Sequence, residues 1–223
     1  MNIAADTASV AVLSFGGARV PVALRDLPVH RSQSPGDPEG IDVAIGPYRR
    51  LVVLGADADL AAVLSRLLRA ERLDVEVAYV PRRRTPATRI YRLPAGRRAA
   101  RRAVSGAAGR VTLIRDETGS AIVGRASWRA PDDRQRLHGE AVVDDTQLFD
   151  GDVPGVRIEP TLAVPGLRAS VDGARRVWRR WIPGRAVQLG CTGVVVVRDG
   201  VAAPRSARRS TFYRHVEGWL SVR

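Results

Sequence analysis

The sequence predicts an N-terminal α/β domain on a parallel sheet, followed by a β-rich domain. Three observations predict it. The continuous apolar run Leu51–Leu54 leads at once into a run of helical period, and then into a second apolar run that stops at Pro81. Beyond Asp116 the texture changes to short apolar segments divided by Gly, Pro and Asp. The 223 residues suffice for one generous domain or two small ones.

Val10–Phe15 and Val20–Leu24 read as short strands around the turn Gly16-Gly17. His30–Gly40 is rich in Ser, Pro and Gly and reads as a loop. Leu51–Leu54 has the uninterrupted apolar character of a strand buried on both faces. After the turn Gly55–Asp59, residues Leu60, Val63, Leu64, Leu67 and Leu68 fall on one helical face. Asp57 or Asp59 would cap the free N–H groups at that helix start. Val75–Val80 resumes strand character, and a strand–helix–strand unit implies parallel strands. A helix is expected over Gly96–Ala108 and a strand over Arg110–Ile114. The later strands are expected at Ala121–Val123, Gly139–Val143, Val156–Ile158, Val187–Leu189, Val194–Arg198 and Trp219–Val222. The expected division is an α/β nucleotide-binding-like domain over residues 1–120 and a β-rich domain over 121–223.

All 36 basic residues are Arg, and the formal net charge is +13. Without Lys, a Schiff-base enzyme, a Lys general base and a Walker-type phosphate loop are excluded. Codon preference accounts for Arg in place of Lys, but the charge itself favours anionic partners. Between Val77 and Arg115 there is no acidic residue, and Arg82–Arg115 contains eleven Arg. The single Cys191 cannot form an internal disulfide, which suits a reducing compartment. No stretch reaches the ~20 apolar residues of a membrane helix. The N-terminal run Val10–Phe15 is short and has no basic residue before it, which argues against a cleaved signal. A cytoplasmic protein is expected.

The turn after Leu51–Leu54 is the natural place for phosphate chemistry, because a turn opening a helix presents free N–H groups and a positive dipole end. Leu51-Val-Val-Leu-Gly-Ala-Asp-Ala-Asp59 resembles the Gly-Gly-Asp-Gly-Thr segment of diacylglycerol kinase-like lipid kinases and their NAD kinase relatives. Val80-Pro81 falls where that family has Pro-x-Gly-Thr before an Asn-Asp pair. Ala99–Gly106 is similar to the helix that ends its first domain, and Val194–Gly200 to the Asp-Gly-Glu strand end of its β-rich domain. The resemblance covers about residues 45–125 well and the remainder loosely. It implies ATP and Mg as cofactors, and nucleotide, phosphate or anionic lipid bound in a cleft between two domains. Gly55, Asp57, Arg82, Arg83 and Arg84 are the residues expected to line it.

The departures from the family pattern change the expected chemistry. Ala56 and Ala58 stand for glycines, and Asp59 stands for Thr. Two like charges ~4 Å apart at an effective dielectric of ~20 repel by about 4 kcal/mol, which weakens phosphate binding about a thousandfold. Pro81-Arg-Arg-Arg-Thr-Pro86 has neither the Gly nor the Asn-Asp, and Val201 stands where the family has the Glu that acts as general base. Val accepts no proton, so phosphotransfer is expected to be reduced or lost and no catalytic residue is assigned. Arg82–Arg84 is either a solvated loop or a phosphate receiver. The other function considered is a non-enzymatic adaptor that holds nucleic acid or an acidic protein through residues 82–115.

Arg175–Ile182 places Val177, Trp178, Trp181 and Ile182 on one side of a helix and four Arg on the other. A core-packing helix accounts for the pattern. So does interfacial contact through Trp178 and Trp181, which would put the protein at the inner membrane face, and so does stacking on unpaired bases. His30, His138 and His215 form no ligand pattern, and no metal site is expected. Asp144, Asp145, Asp150 and Asp152 would suit a cation, and turn chemistry explains them equally well.

Overall fold

A computed structural model describes residues 10–32, 38–45, 48–132, 136–173 and 180–223. The chain divides into two compact units: Met1–Val111 with Glu217–Arg223, and Thr112–Val216.

In the first unit, β1 (Val10–Phe15), β2 (Val29–Ser32), α1 (Pro38–Ile45), β3 (Arg50–Leu54), α2 (Asp57–Arg69), β4 (Glu76–Tyr79), α3 (Pro86–Ile90), α4 (Gly96–Ser105) and β5 (Ala108–Val111) follow in order. β17 (Trp219–Val222) completes the sheet. Among the described residues the strand order is β2-β1-β3-β4-β17-β5. The strands run parallel except for β5, which pairs antiparallel with β17. Leu13 registers with Val53, and Val53 with Tyr79. Alternate strand residues Val12, Val52, Leu54, Ala78 and Val80 pack with Ala99, Ala100 and Ala103 of α4. Alanine on that face lets the helix approach the sheet closely. The opposite parity, with Leu51, Val53, Val77 and Tyr79, is buried as well. Both faces of the sheet are covered, which is why its strands read as unbroken apolar runs.

Several local expectations are corrected. Val20–Leu24 is not a strand: Val22–Leu24 forms a 3-10 turn after Pro21, and Val22 is exposed. His30–Gly40 is not wholly loop, since β2 and α1 enter it from either side. Arg110–Ile114 is split, with β5 ending at Val111 and β6 starting at Ile114. Trp219–Val222 pairs in the first unit's sheet, between β4 and β5. α4 ends at Ser105, capped by the Gly106 N–H donating to the Arg102 carbonyl at 2.7 Å.

The second unit is antiparallel: β6 (Ile114–Asp116), β7 (Ala121–Ile122), β8 (Ala126–Arg129), β9 (Leu137–Val143), β10 (Thr146–Val153), β11 (Val156–Pro160), β12 (Leu167–Val171), β13 (Ile182–Gly184), β14 (Ala186–Arg198), β15 (Val201–Ala202) and β16 (Ala207–Arg214). The two expected strands at 187–189 and 194–198 are one strand, β14, whose register shifts between Gly190 and Val194. That irregularity lets its first half pair with β9 and its second with β8. Trp128 is fully buried, donates its indole N–H to Ser210 Oγ at 3.0 Å and packs near Phe212. The Arg175–Ile182 helix lies largely outside the described residues; Ile182 begins β13.

Candidate functional site

Parallel strands carry their C-terminal ends to one edge of a sheet, where α/β folds place ligands. Three turns of the first unit fall there. β1 ends at Gly16-Gly17, both at positive φ, β3 ends at Gly55, and β4 ends in Val80–Arg84.

Gly55 leads into Ala56, the extended residue that opens α2. Ala56 has no side-chain oxygen to cap the helix. Asp59, one turn on, reaches back instead, and its Oδ2 accepts the Ala56 N–H at 2.7 Å. This is half of a capping box, and it occupies a donor that would otherwise face an anion. A Cβ on Gly55 would sit 2.3 Å from the same oxygen. The position requires glycine because of Asp59, whatever the ligand. Burial pushes the Asp59 carboxyl above its ordinary value, against the opposing Ala56 hydrogen bond.

Asp57 points inward. Its Oδ1 accepts the Tyr79 hydroxyl at 2.8 Å and its Oδ2 accepts the Ala87 N–H at 3.1 Å. One buried carboxylate thus ties the β3–α2 turn to β4 and to α3. Burial, and then the neighbouring Asp57 charge, drive the Tyr79 hydroxyl well above its usual range, so it remains a donor. Neither partner of Asp57 is visible from local sequence, because Tyr79 and Ala87 lie 22 and 30 residues away.

Arg82, Arg83 and Arg84 are all exposed, between β4 and α3. α3 starts on a reciprocal cap. The Thr88 N–H donates to Thr85 Oγ1 at 3.2 Å and the Thr85 N–H to Thr88 Oγ1 at 2.9 Å, with Pro86 in the first turn. Asp57 therefore holds α3, and α3 anchors the far end of the arginine loop. Through this tether the structure links Asp57 to the segment that carries Arg82–Arg84. The sequence reading missed Tyr79, Thr85 and Thr88. The Thr-Pro-x-Thr spacing is the signal that would have marked the cap.

In the second unit, Asp199 precedes Gly200 and accepts the N–H groups of Val123, Gly124 and Arg125 at 2.9, 2.7 and 2.8 Å. Val201 follows, exposed. Trp178 lies outside the described residues, and Trp181 is half-buried with the Arg168 guanidinium 4.3 Å from its ring centre. His138 Nδ1 and Asp152 Oδ1 are 3.0 Å apart on an exposed hairpin. Burial raises the Cys191 thiol above its ordinary value. Among the described residues no three His, Cys, Asp or Glu converge as metal ligands, and no helix is long and apolar enough to cross a membrane.

An α/β unit with a mostly parallel sheet, joined in one chain to a large antiparallel β unit, defines the class of the fold. Its particular form is the diacylglycerol kinase/NAD kinase-like fold. A diacylglycerol kinase structure from Bacillus anthracis superposes with a TM-score of 0.69 at 10% identity, over 96% of each chain. An NAD kinase from Archaeoglobus fulgidus, solved with ATP, gives 0.64 at 11% identity, over 96% of this chain and 93% of that one. Yeast NADH kinase, solved with NADH, gives 0.60 at 9% identity, over 96% and 83%. No family model and no curated protein sequence matches the chain.

Proposed function

We propose that the chain is a divergent diacylglycerol kinase-like protein that binds nucleotide, phosphate or anionic lipid and has reduced or lost phosphotransfer. The observation that carries this reading is the exposed arginine triplet Arg82–Arg84 at the end of β4, one strand from the Gly55 turn, in a fold shared with a kinase solved with ATP. Arginine receives phosphoryl oxygens in bidentate geometry, so guanidinium groups can supply the affinity that glycine-rich backbone otherwise gives. Loss of transfer is supported by two features. Asp59 holds the Ala56 N–H and sets a carboxylate at the helix start. Val201, with no group able to take a proton, follows Asp199-Gly200. By the same resemblance the ligand would be met in the cytoplasm or at the inner membrane face.

Calorimetry with ATP and Mg, together with a phosphotransfer assay on diacylglycerol, tests the reading. Saturable binding is expected, weakened about tenfold or more by the double substitution Arg82→Glu/Arg83→Glu, with transfer at background. No saturable binding up to millimolar ATP, or binding indifferent to both substitutions, overturns the nucleotide version.

A further inference from the structure

Six arginines ring one cavity of the first unit, and the family resemblance assigns nothing to five of them. Arg84 ends the loop after β4, Arg89 lies on α3, and Arg92 follows it. Arg98 and Arg102 are one turn apart on α4, and Arg223 follows β17. The cavity is open and about 710 Å³ in volume. All six side chains are exposed, and no Asp or Glu lines the cavity.

Some arginines of the chain pair with carboxylates: Arg50 with Glu76, Arg66 with Asp42, Arg110 with Glu217, Arg168 with Glu159, and Arg198 with Asp116. None of the six around the cavity has an ion-pair partner among the described residues. Codon preference explains why they are Arg and not Lys, but it does not explain why acids are absent. Arg92 is moreover held at φ 55, a conformation uncommon for a residue with a Cβ. Its position follows from the Tyr91 cap and the Leu93 N–H bonded to the Thr88 carbonyl at 2.9 Å.

We infer that this basin is a binding site for a compact polyphosphate, a ligand carrying three or more phosphoryl groups within one small volume. The volume falls in the range of small-molecule sites, about 300–1,000 Å³. Six arginines on one cavity can supply several phosphoryl groups with guanidinium partners, each able to give a forked pair of hydrogen bonds. Single-stranded nucleic acid would call for aromatic platforms on which bases stack, and no aromatic residue lines the basin. The apolar part of the lining is Leu93, Pro94 and Ala95, with no ring on which a base could stack. Free polyphosphate and the headgroup of a polyphosphorylated lipid share this chemistry.

The test uses the full chain and inorganic tripolyphosphate, with orthophosphate as the single-phosphate comparison. Calorimetry is expected to give one site for tripolyphosphate, with orthophosphate at least about a hundredfold weaker. The substitution Arg98→Glu/Arg102→Glu is expected to weaken tripolyphosphate about thirtyfold or more, with Tm checked for an intact fold. Arg208→Glu/Arg209→Glu, on exposed residues of β16, makes the same change in net charge and is expected to cost less than about threefold. Arg82→Glu/Arg83→Glu is expected to leave the site within about threefold, so failure here and failure of the nucleotide reading are separable. Vesicles carrying a phosphatidylinositol bisphosphate, against phosphatidylserine vesicles of equal surface charge, distinguish the sources: selective flotation assigns the headgroup, and its absence alongside tripolyphosphate binding assigns the free ligand. Equal losses in the two Glu pairs, no saturable binding, or tighter binding of a 20-nucleotide single strand would each overturn the proposal.

Discussion

At the scale of residues, the turn into α2 is governed by two carboxylates with different tasks. Asp57 satisfies the Tyr79 hydroxyl and the Ala87 N–H, both buried. Asp57→Ala leaves both donors unsatisfied and should cost about 2–4 kcal/mol in urea unfolding. Gly55→Ala presses a methyl on the Asp59 carboxylate and should cost about 1–3 kcal/mol, while Asp59→Ala removes a cap worth about 1 kcal/mol. In the double variant the contacts with the carboxylate are gone and only the Cβ of residue 59, at 2.9 Å, remains, so the two costs should fall short of additivity; additive losses would show that the Asp59 carboxylate does not set the need for glycine. Asp59 also gives a pH signature. Its carboxyl is held above the ordinary value of 3.8, so the folded state binds that proton more tightly than the unfolded chain does. Its stabilising contribution is therefore complete below the unfolded value and is lost as pH rises through the folded one. The stability of Asp59→Asn relative to the parent should then increase as pH is raised from below 3.8, and a flat difference would contradict the assignment. The sequence located this turn correctly because a buried strand and an amphipathic helix bracket it. It could not show that both carboxylates are engaged internally, since that depends on contacts brought in from β4 and α3.

At the scale of elements, α4 is built against its own dipole. Its N-cap is Ala95, in extended conformation with no side-chain cap, and Arg97 and Arg98 stand in its first turn. Cations there oppose the positive end of the helix. Ala95→Asp should therefore raise stability by about 1 kcal/mol, read as an increase in Tm. The helix was expected over Gly96–Ala108, and β3 and β4 were legible from their apolar runs. β2 was not, because Val29-His-Arg-Ser32 lies at the sheet edge and needs no apolar run. The 3-10 turn at Val22–Leu24 misled for the converse reason: only Leu24 of its three apolar residues is buried. In β17, Trp219 Nε1 and Ser221 Oγ are buried without a hydrogen-bond partner among the described residues. Removing such a hydroxyl leaves nothing unpaired, so Ser221→Ala should be neutral or stabilising in the same assay.

At the scale of the molecule, the β-rich class of the second unit followed from evenly spaced turn residues, but the ownership of the last strand did not. Trp219–Val222 follows the second unit in sequence and carries no mark of the sheet it joins. Its membership is set by pairing: parallel to β4 at Leu220 and Ser221, and antiparallel to β5 along its whole length. Trp219 is buried there, edge-on to Tyr91 with ring centres 5.3 Å apart. Leu220→Pro removes a ladder donor from an interior strand and should abolish the cooperative unfolding of the first unit in circular dichroism. Trp128→Ala, in the core of the second unit, should cost about 3–5 kcal/mol.

The position of β17 sets an order of events during synthesis. Roughly a hundred residues of the second unit must leave the ribosome between β5 and β17, which at 5–20 residues per second takes about 5–20 s. Through that interval the nascent first unit has β4 and β5 but not the strand that joins them, so its sheet has an open seam. A segment translated after the second unit therefore closes a sheet begun before it, and a ribosome stalled before Glu217 would present a nascent chain whose unpaired β4 edge is a target for chaperones or for a neighbouring chain.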